Sequence, residues 1–435
     1  MEKEKLKELI IQHKEGFFSK TNLTERFIFE NFKRFLTSRE VVLITGIRRC
    51  GKSSLMKLIC DDLINKYGVS KNNILYINFD DERFVDFSVK DFEILYETFL
   101  EIESPDGRKY FFLDEIQNIS GWERWVNRVY EFEDVKFFIT GSNSSLLSSD
   151  ISVSLTGRNR QIILFPFSFY EFLKFKKISF DEKSIFLREK KAMIKRMFKE
   201  YVDHGGFPEV LKADDKTILE QYFKDILYRD LISGYSIRNI RELKELCLYL
   251  VSNPATIHSY ESLKNFIKAK NITTIKNYIE AFEEVFLFFK VSFFDFSVKR
   301  QIYNPGKIYI NDIGFSNVLG FNFSKNLGHI FENIVFQELK RRNKEVYYWK
   351  SKSGKEVDFV IKKGLKIEEA INVCFNLADY KTKIREINTL IEAKKEIGVN
   401  KLTIITEDEE GTEKTDKVSI KIIPLWKWLL MERGE

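Results

Sequence analysis

A five-residue apolar run, Val41-Val42-Leu43-Ile44-Thr45, leads directly into Gly46-Ile47-Arg48-Arg49-Cys50-Gly51-Lys52-Ser53, and helical periodicity follows from Ser54 to Gly68. Few folds place a buried strand, a glycine-bounded loop and a helix start in that order. The spacing is G-x-x-x-x-G-K-[ST], in which backbone N–H groups curl around phosphate oxygens at a helix N-terminus. Lys52 is placed to neutralise the β and γ oxygens, and the Ser53 hydroxyl to ligand Mg²⁺. Gly46, Arg48, Arg49, Cys50, Gly51, Lys52, Ser53 and Ser54 form the expected nucleotide-binding set, with ATP and Mg²⁺ as cofactors.

The pattern around this loop repeats strand and helix. Apolar strands are predicted at 74–79, 109–114 and 135–140, with helices near 88–103 and 121–132 between them. Such alternation implies a parallel α/β sheet. Its third strand, Phe111-Phe112-Leu113-Asp114-Glu115, delivers two acids at the carboxyl edge where these sheets hold ligands. Asp114 is expected to hold Mg²⁺ through water, and Glu115 to orient and polarise the attacking water. Ser142 and Asn143, at the tip of the next strand, are placed to sense a γ-phosphate, or to form an ordinary turn. Arg158, a little farther on, is a candidate for transition-state charge, from its own chain or from a neighbouring subunit. Residues 1–37 read as an amphipathic helix and loop.

Nothing in the composition competes with a nucleotide-dependent globular protein. The 435 residues suggest several domains, and the net charge of +6 is too mild to prove a nucleic-acid partner. No apolar stretch is long enough to span a bilayer, and the charged N-terminal segment lacks a signal-peptide core. Four scattered cysteines form neither a disulfide framework nor a zinc site. The expectation is a cytoplasmic protein without a membrane partner.

The stretches VVLITGIRRCGKSSLMK, ILYINFDDERF, YFFLDEIQNISGWERWVNRVY, FFITGSNSSLL, LTGRNRQIILFPFSFYEFL, HGGFPEV and IYINDIGFSNVLG occur in that order. Over most of residues 17–320 the chain resembles the prokaryotic AAA+-like P-loop ATPases that carry a C-terminal domain of poorly characterised function. The resemblance implies ATP hydrolysis and strengthens Arg158 through its L-x-G-R element. It supplies no substrate.

Three short helices are predicted at 237–253, 259–270 and 273–287, the third capped by Thr273 or Thr274. With the two strands that follow, they resemble the helix-turn-helix module of the same family, a winged helix. If it binds DNA, Thr274 and Lys276 face the major groove, and Lys299, Arg300 and Lys307 on the wing contact phosphates. Glu280, Glu283 and Glu284 oppose that reading, as does the use of winged helices in protein contacts. The last segment resembles the restriction-nuclease-like fold. Glu332 and Asp358 match its metal-binding acids, whereas Asn372 and Cys374 stand where an acid and a lysine are required, so the site is expected to be degenerate.

The expected architecture is an α/β P-loop NTPase domain of AAA+-like type (1–167), a helical region (168–235), a winged helix (236–322) and an α/β nuclease-like domain (323–435). The leading reading is an ATP-hydrolysing switch coupled to DNA, with a second copy or another protein as a further partner. The alternatives are an ATP-gated, metal-dependent DNA endonuclease and a protein-protein switch without nucleic acid.

Overall fold

The computed structural model describes residues 1–29, 33–147, 158–181, 183–235, 237, 239–320, 327–415 and 418–431. They divide into two compact units, 1–166 with 284–286, and 167–283 with 287–435.

The first unit is built on a five-stranded parallel sheet in the order β2-β3-β4-β1-β5. Its strands are β1 (Val41–Thr45), β2 (Ile74–Asn78), β3 (Lys109–Asp114), β4 (Val135–Gly141) and β5 (Asn159–Ile163), and its helices are α1 (Lys3–Phe18), α2 (Lys52–Tyr67), α3 (Asp91–Glu103) and α4 (Trp122–Phe132). Every residue of β1 and β4 is buried. Strands covered on both faces read as unbroken apolar runs rather than alternating ones. One core joins Leu6 and Ile10 of α1 to Leu43, Phe111, Phe137 and Trp125. Thr45 lies beside Gly141, and Asn78 beside Asp114, so the phosphate loop and both acids emerge at one sheet edge. The fifth strand has no apolar signature because it is a half-exposed edge, Asn-Arg-Gln-Ile-Ile.

The second unit begins with α5 (Phe169–Phe175), α6 (Arg188–His204), α7 (Pro208–Ala213) and α8 (Ile218–Asp225), followed by a π-helical stretch, Ile226–Ile232. The predicted interruption at His204-Gly205-Gly206-Phe207 has a steric cause. A β-carbon on Gly206 would lie 2.2 Å from the Phe167 carbonyl oxygen. Gly206 donates its N–H to Asp312 and accepts one from Phe167 through its carbonyl.

Next come α9 (Ile240–Ser252), β6 (Thr256–His258), α10 (Tyr260–Ile267), α11 (Ile272–Glu284), β7 (Phe288–Val291), α12 (Val298–Tyr303), β8 (Gly306–Ile310) and α13 (Ile313–Leu319). The three strands form an antiparallel sheet in the order β6-β8-β7. Two local expectations change here. Asn271, not Thr273 or Thr274, caps α11, accepting from both the Thr274 N–H (2.8 Å) and its hydroxyl (3.0 Å). The segment between β7 and β8, expected as the wing, carries α12, and Phe294 and Ser292 bond the backbone of Tyr348.

The last part contains α14 (Leu327–Arg341), β9 (Glu345–Lys350), β10 (Glu356–Lys363), β11 (Lys366–Val373), α15 (Tyr380–Ile397), β12 (Lys401–Thr406), β13 (Gly411–Thr415), β14 (Val418–Pro424) and α16 (Leu425–Leu430). Its mixed sheet runs β13-β14-β12-β11-β10-β9. Between Val357 and Val360 the register on β9 slips, leaving one extra residue in β10 beside Asp358. Such a bulge re-aims a side chain out of the regular pleat. Among the described residues no helix is long and apolar enough to cross a membrane.

Candidate functional site

The loop between β1 and α2 is shaped by close backbone packing. A β-carbon on Gly46, whose φ is +146°, would sit 2.1 Å from the Leu164 carbonyl oxygen, so the loop turns only with glycine there. Cys50 is fully buried and serves packing. Its carbonyl accepts from Arg26 at 3.0 Å, and the same guanidinium reaches the Phe165 carbonyl at 2.5 Å. Arg26, which belongs to no motif, thus braces the loop from behind.

The Lys52 ammonium is 5% exposed and has three long contacts: the carbonyls of Gly46 (3.2 Å) and Ile47 (3.5 Å), and Glu115 Oε1 (3.2 Å). Burial lowers its pKa, but the charges of Glu115 and Asp114, with Cys50 and the Glu115 hydrogen bond, together outweigh this and the net direction is upward. Glu115 shows the mirror image. Burial raises it, yet Lys52, the Gln117 amide and Arg48 hold it below the usual carboxylate range, so it stays ionised. Gln117 Nε2 donates to Glu115 Oε2 at 2.7 Å.

Asp114 is 1% exposed, and both its oxygens accept hydroxyl protons: Oδ2 from Tyr76 at 2.9 Å and Oδ1 from Thr140. Thr140 Oγ1 in turn accepts the Glu115 backbone N–H at 3.0 Å, so one threonine fixes both acids. Tyr76 stacks on Phe17 of α1 with ring centroids 4.0 Å apart, which fixes its hydroxyl. Sequence reasoning missed Tyr76, Thr140 and Gln117. Their signal is faint: Tyr76 sits in the middle of an apolar strand, Thr140 near the end of another, and Gln117 follows Glu115 by two positions.

Ser142 is buried, and its hydroxyl lies 3.4 Å from Gln117 Nε2, which brings this strand tip to the Glu115 side of the site. Asn143 follows it in the same turn, half-buried. Arg48 faces Asp80 at 3.4 Å, and Arg49 takes a left-handed backbone, φ +69°. Ser53 and Ser54 open α2 in its first turn.

Arg158 is the exception. Its carbonyl accepts from Val41 N–H, at the start of β1, whereas the phosphate loop begins after Thr45. At about 3.3 Å per residue the two ends lie roughly 15 Å apart. The side chain is half-exposed, pairs with Glu131 (3.2 Å) and lies over Tyr130. Arg158 thus lies at the opposite end of the sheet from its own chain's phosphate loop. The preceding L-x-G residues, 155–157, lie outside the described residues.

In the second unit, Lys307 corrects the expectation of a wing cation. It is 2% exposed, and its ammonium lies 2.7 Å from Glu332, 2.6 Å from Glu356 and 3.0 Å from Asp358. Burial opposes its charge, but Glu332 and Asp358 hold its pKa well above the usual lysine value. Tyr309, two residues on and on the same strand face, donates to Glu332 at 2.7 Å. Burial, and then the Asp358 charge, push Glu332 up to about 8. Asp358 also accepts the Val373 N–H at 2.8 Å.

Glu332 and Asp358 thus meet around one ammonium, but Asn372 and Cys374 do not join them. The Asn372 amide donates to Glu386 on α15 at 2.6 Å, and the Cys374 thiol to the Asn376 carbonyl. Lys276 and Lys299 are exposed, with Lys276 over the Tyr260 ring. Arg300 pairs with Asp295 at 3.4 Å.

An AAA domain family model matches residues 38–173. Two models described as domains of unknown function, DUF8612 and DUF4143, match 195–326 and 327–428. The chain is 38% identical over 413 residues to the uncharacterized protein MJ1544 of Methanocaldococcus jannaschii, covering 91% of this chain and 89% of that one. It is 30% identical over 420 residues to an uncharacterized protein of Haemophilus influenzae, covering 95% and 100%. Among solved structures, the Aeropyrum pernix ORC1 protein in complex with DNA aligns with a TM-score of 0.28 and 12% identity over 68% of this chain and 92% of that one. A Thermotoga maritima RuvB variant aligns with a TM-score of 0.32 and 16% identity over 60% and 89%. The chain belongs to one family with the Methanocaldococcus and Haemophilus proteins, and its phosphate loop lies within an AAA+-like P-loop ATPase domain.

Proposed function

We infer that the first unit binds and hydrolyses ATP with Mg²⁺ and acts as a conformational switch. The observation that carries this is the pairing of Lys52 with an ionised Glu115 beneath a glycine-shaped loop, with Asp114 oriented beside them. A cradle that a β-carbon would fill, one cation and two acids fit a nucleoside triphosphate and its metal. Magnesium, when bound, supplies charge neutralisation on the β and γ oxygens. Lys52 exchanges its long contacts to Gly46, Ile47 and Glu115 for phosphate oxygens. Glu115, released from that pairing, accepts a proton from the attacking water. Ser53 and Asp114 hold the metal, and Ser142 and Asn143 flank the γ-phosphate. Arg158 acts in the site of a second copy.

DNA is the partner we assign to the switch. The element order α9-β6-α10-α11-β7-α12-β8 resembles a winged helix with a short helix inserted in its wing, and the exposed face of α11 carries Lys276. Thr274 stays beside it, while Lys299 and Arg300 flank on α12. The endonuclease alternative loses support, because an ammonium fills its acidic pocket.

An ATPase assay with and without duplex DNA tests both parts. Hydrolysis that disappears in Glu115→Gln and rises with DNA is expected. Wild-type turnover in Glu115→Gln overturns the assigned mechanism. The slope of log affinity against log salt should fall in magnitude by about 0.9 for each phosphate that Lys276→Ala with Lys299→Ala leaves without its cation. No stimulation and an unchanged slope leave the protein-protein switch.

A further inference from the structure

We propose that Lys307 supplies a built-in cation at the position where a nuclease-like domain would hold a divalent metal ion, making that acidic pocket a structural lock between the small sheet and the C-terminal sheet. The inference stands apart from the ATPase reading. An ammonium has three N–H donors and no acceptor. Three carboxyl groups, those of Glu332, Glu356 and Asp358, surround it at 2.6–3.0 Å, so each donor has one carboxyl oxygen within reach. The three acids come from α14 and the bulged strand β10, whereas the lysine comes from β8 of the other sheet.

The neighbouring contacts fit a permanent junction. Asn333, next to Glu332, brackets Ile310 of β8, accepting its N–H and donating to its carbonyl, both at 2.9 Å. Tyr309 donates to Glu332 from the same strand face as Lys307. Tyr348 of β9 donates to the Pro305 carbonyl at 2.7 Å. The lysine thus enters on a strand pinned on both sides. The pocket satisfies an ammonium, and the fourth corner that a nuclease needs is missing, because Asn372 turns to Glu386.

The test is Mn²⁺ binding to the full chain without nucleotide, read by the loss of free-Mn²⁺ electron paramagnetic resonance signal and by thermal melting. Wild type is expected to bind no Mn²⁺ that Asp358→Asn removes. Lys307→Ala is expected to melt roughly 10 °C lower, as for a broken buried ion pair. It should also bind one additional Mn²⁺, recover melting temperature as Mn²⁺ is added, and lose both effects with Asp358→Asn. Lys307→Gln, which keeps most of the side-chain volume, guards against a variant that folds poorly, and should show the same gain. A wild-type Mn²⁺ site that depends on Asp358 would overturn the proposal. So would folded lysine variants that gain no Mn²⁺, or variants that stay unfolded with and without it.

Discussion

The molecule holds two buried lysines that each face carboxylates, and they differ in how fully they are satisfied. Lys52 is held by two backbone carbonyls and one acid, all at 3.2–3.5 Å, at the long end of hydrogen bonding. Lys307 has three acids at 2.6–3.0 Å. The first cation has partners that a stronger anion can replace, and it stands where a glycine leaves room. The second is saturated inside a strand whose residues are all buried. Burial and ion pairing alone therefore do not mark a working site. The discriminating property is whether the partners can be exchanged.

The sharpest way to break this comparison is through Glu115. If it acts on water only once Lys52 has moved to phosphate, Glu115→Gln should keep ATP affinity and lose about a thousandfold in turnover, within the range for acid-base groups. Single-turnover hydrolysis beside a binding titration separates the two. Lys52→Ala should weaken ATP binding by roughly a hundredfold, the size of one or two charged hydrogen bonds. Lys307→Ala should leave ATP affinity unchanged, and a matching loss there would erase the distinction.

A smaller effect concerns Asp114. Tyr76→Phe removes one of its two hydroxyl donors, and the Mg²⁺ concentration for half-maximal activity should rise roughly fivefold, with metal-free nucleotide affinity unchanged. An equal change in both would make Tyr76 a packing residue.

The smallest effect is on pH. Glu332 is held up at about 8, above the ordinary value near 4.3, so the folded state keeps a proton that the unfolded chain has released. Its contribution to stability is complete below about pH 4 and is lost as pH rises towards 8, by no more than about 1.4 kcal/mol per pH unit. Denaturation midpoints across this window should fall in wild type and flatten in Glu332→Gln. Equal slopes in both proteins would place Glu332 outside the titrating set.

The phosphate loop was legible because its chemistry is local: glycine spacing, strand and helix lie within a few dozen residues of one another. The four apolar strands around it were legible for the same reason. Lys307 was misread because its partners lie 25 and more residues away, and a lysine between two strands reads by default as a surface cation. Arg158 was legible as a cation but not as one at the wrong end of the sheet, since a strand as polar as β5 hides its own direction. Asn372 and Cys374 were legible as replacements for an acid and a lysine, yet the strand pattern does not say which helix covers Asn372. It is α15, with Glu386, that receives Asn372.

Glu115 has a left-handed backbone, φ +54°, although it is not glycine. For an L-residue that conformation costs roughly 1–2 kcal/mol. Glycine here would relieve that strain, yet it would leave the buried Lys52 ammonium without its carboxylate and silence the proposed hydrolysis. In this chain, backbone strain and the proposed chemistry are thus tied to one residue. A Glu115→Gly protein should therefore melt no higher than the wild type while turning over no ATP.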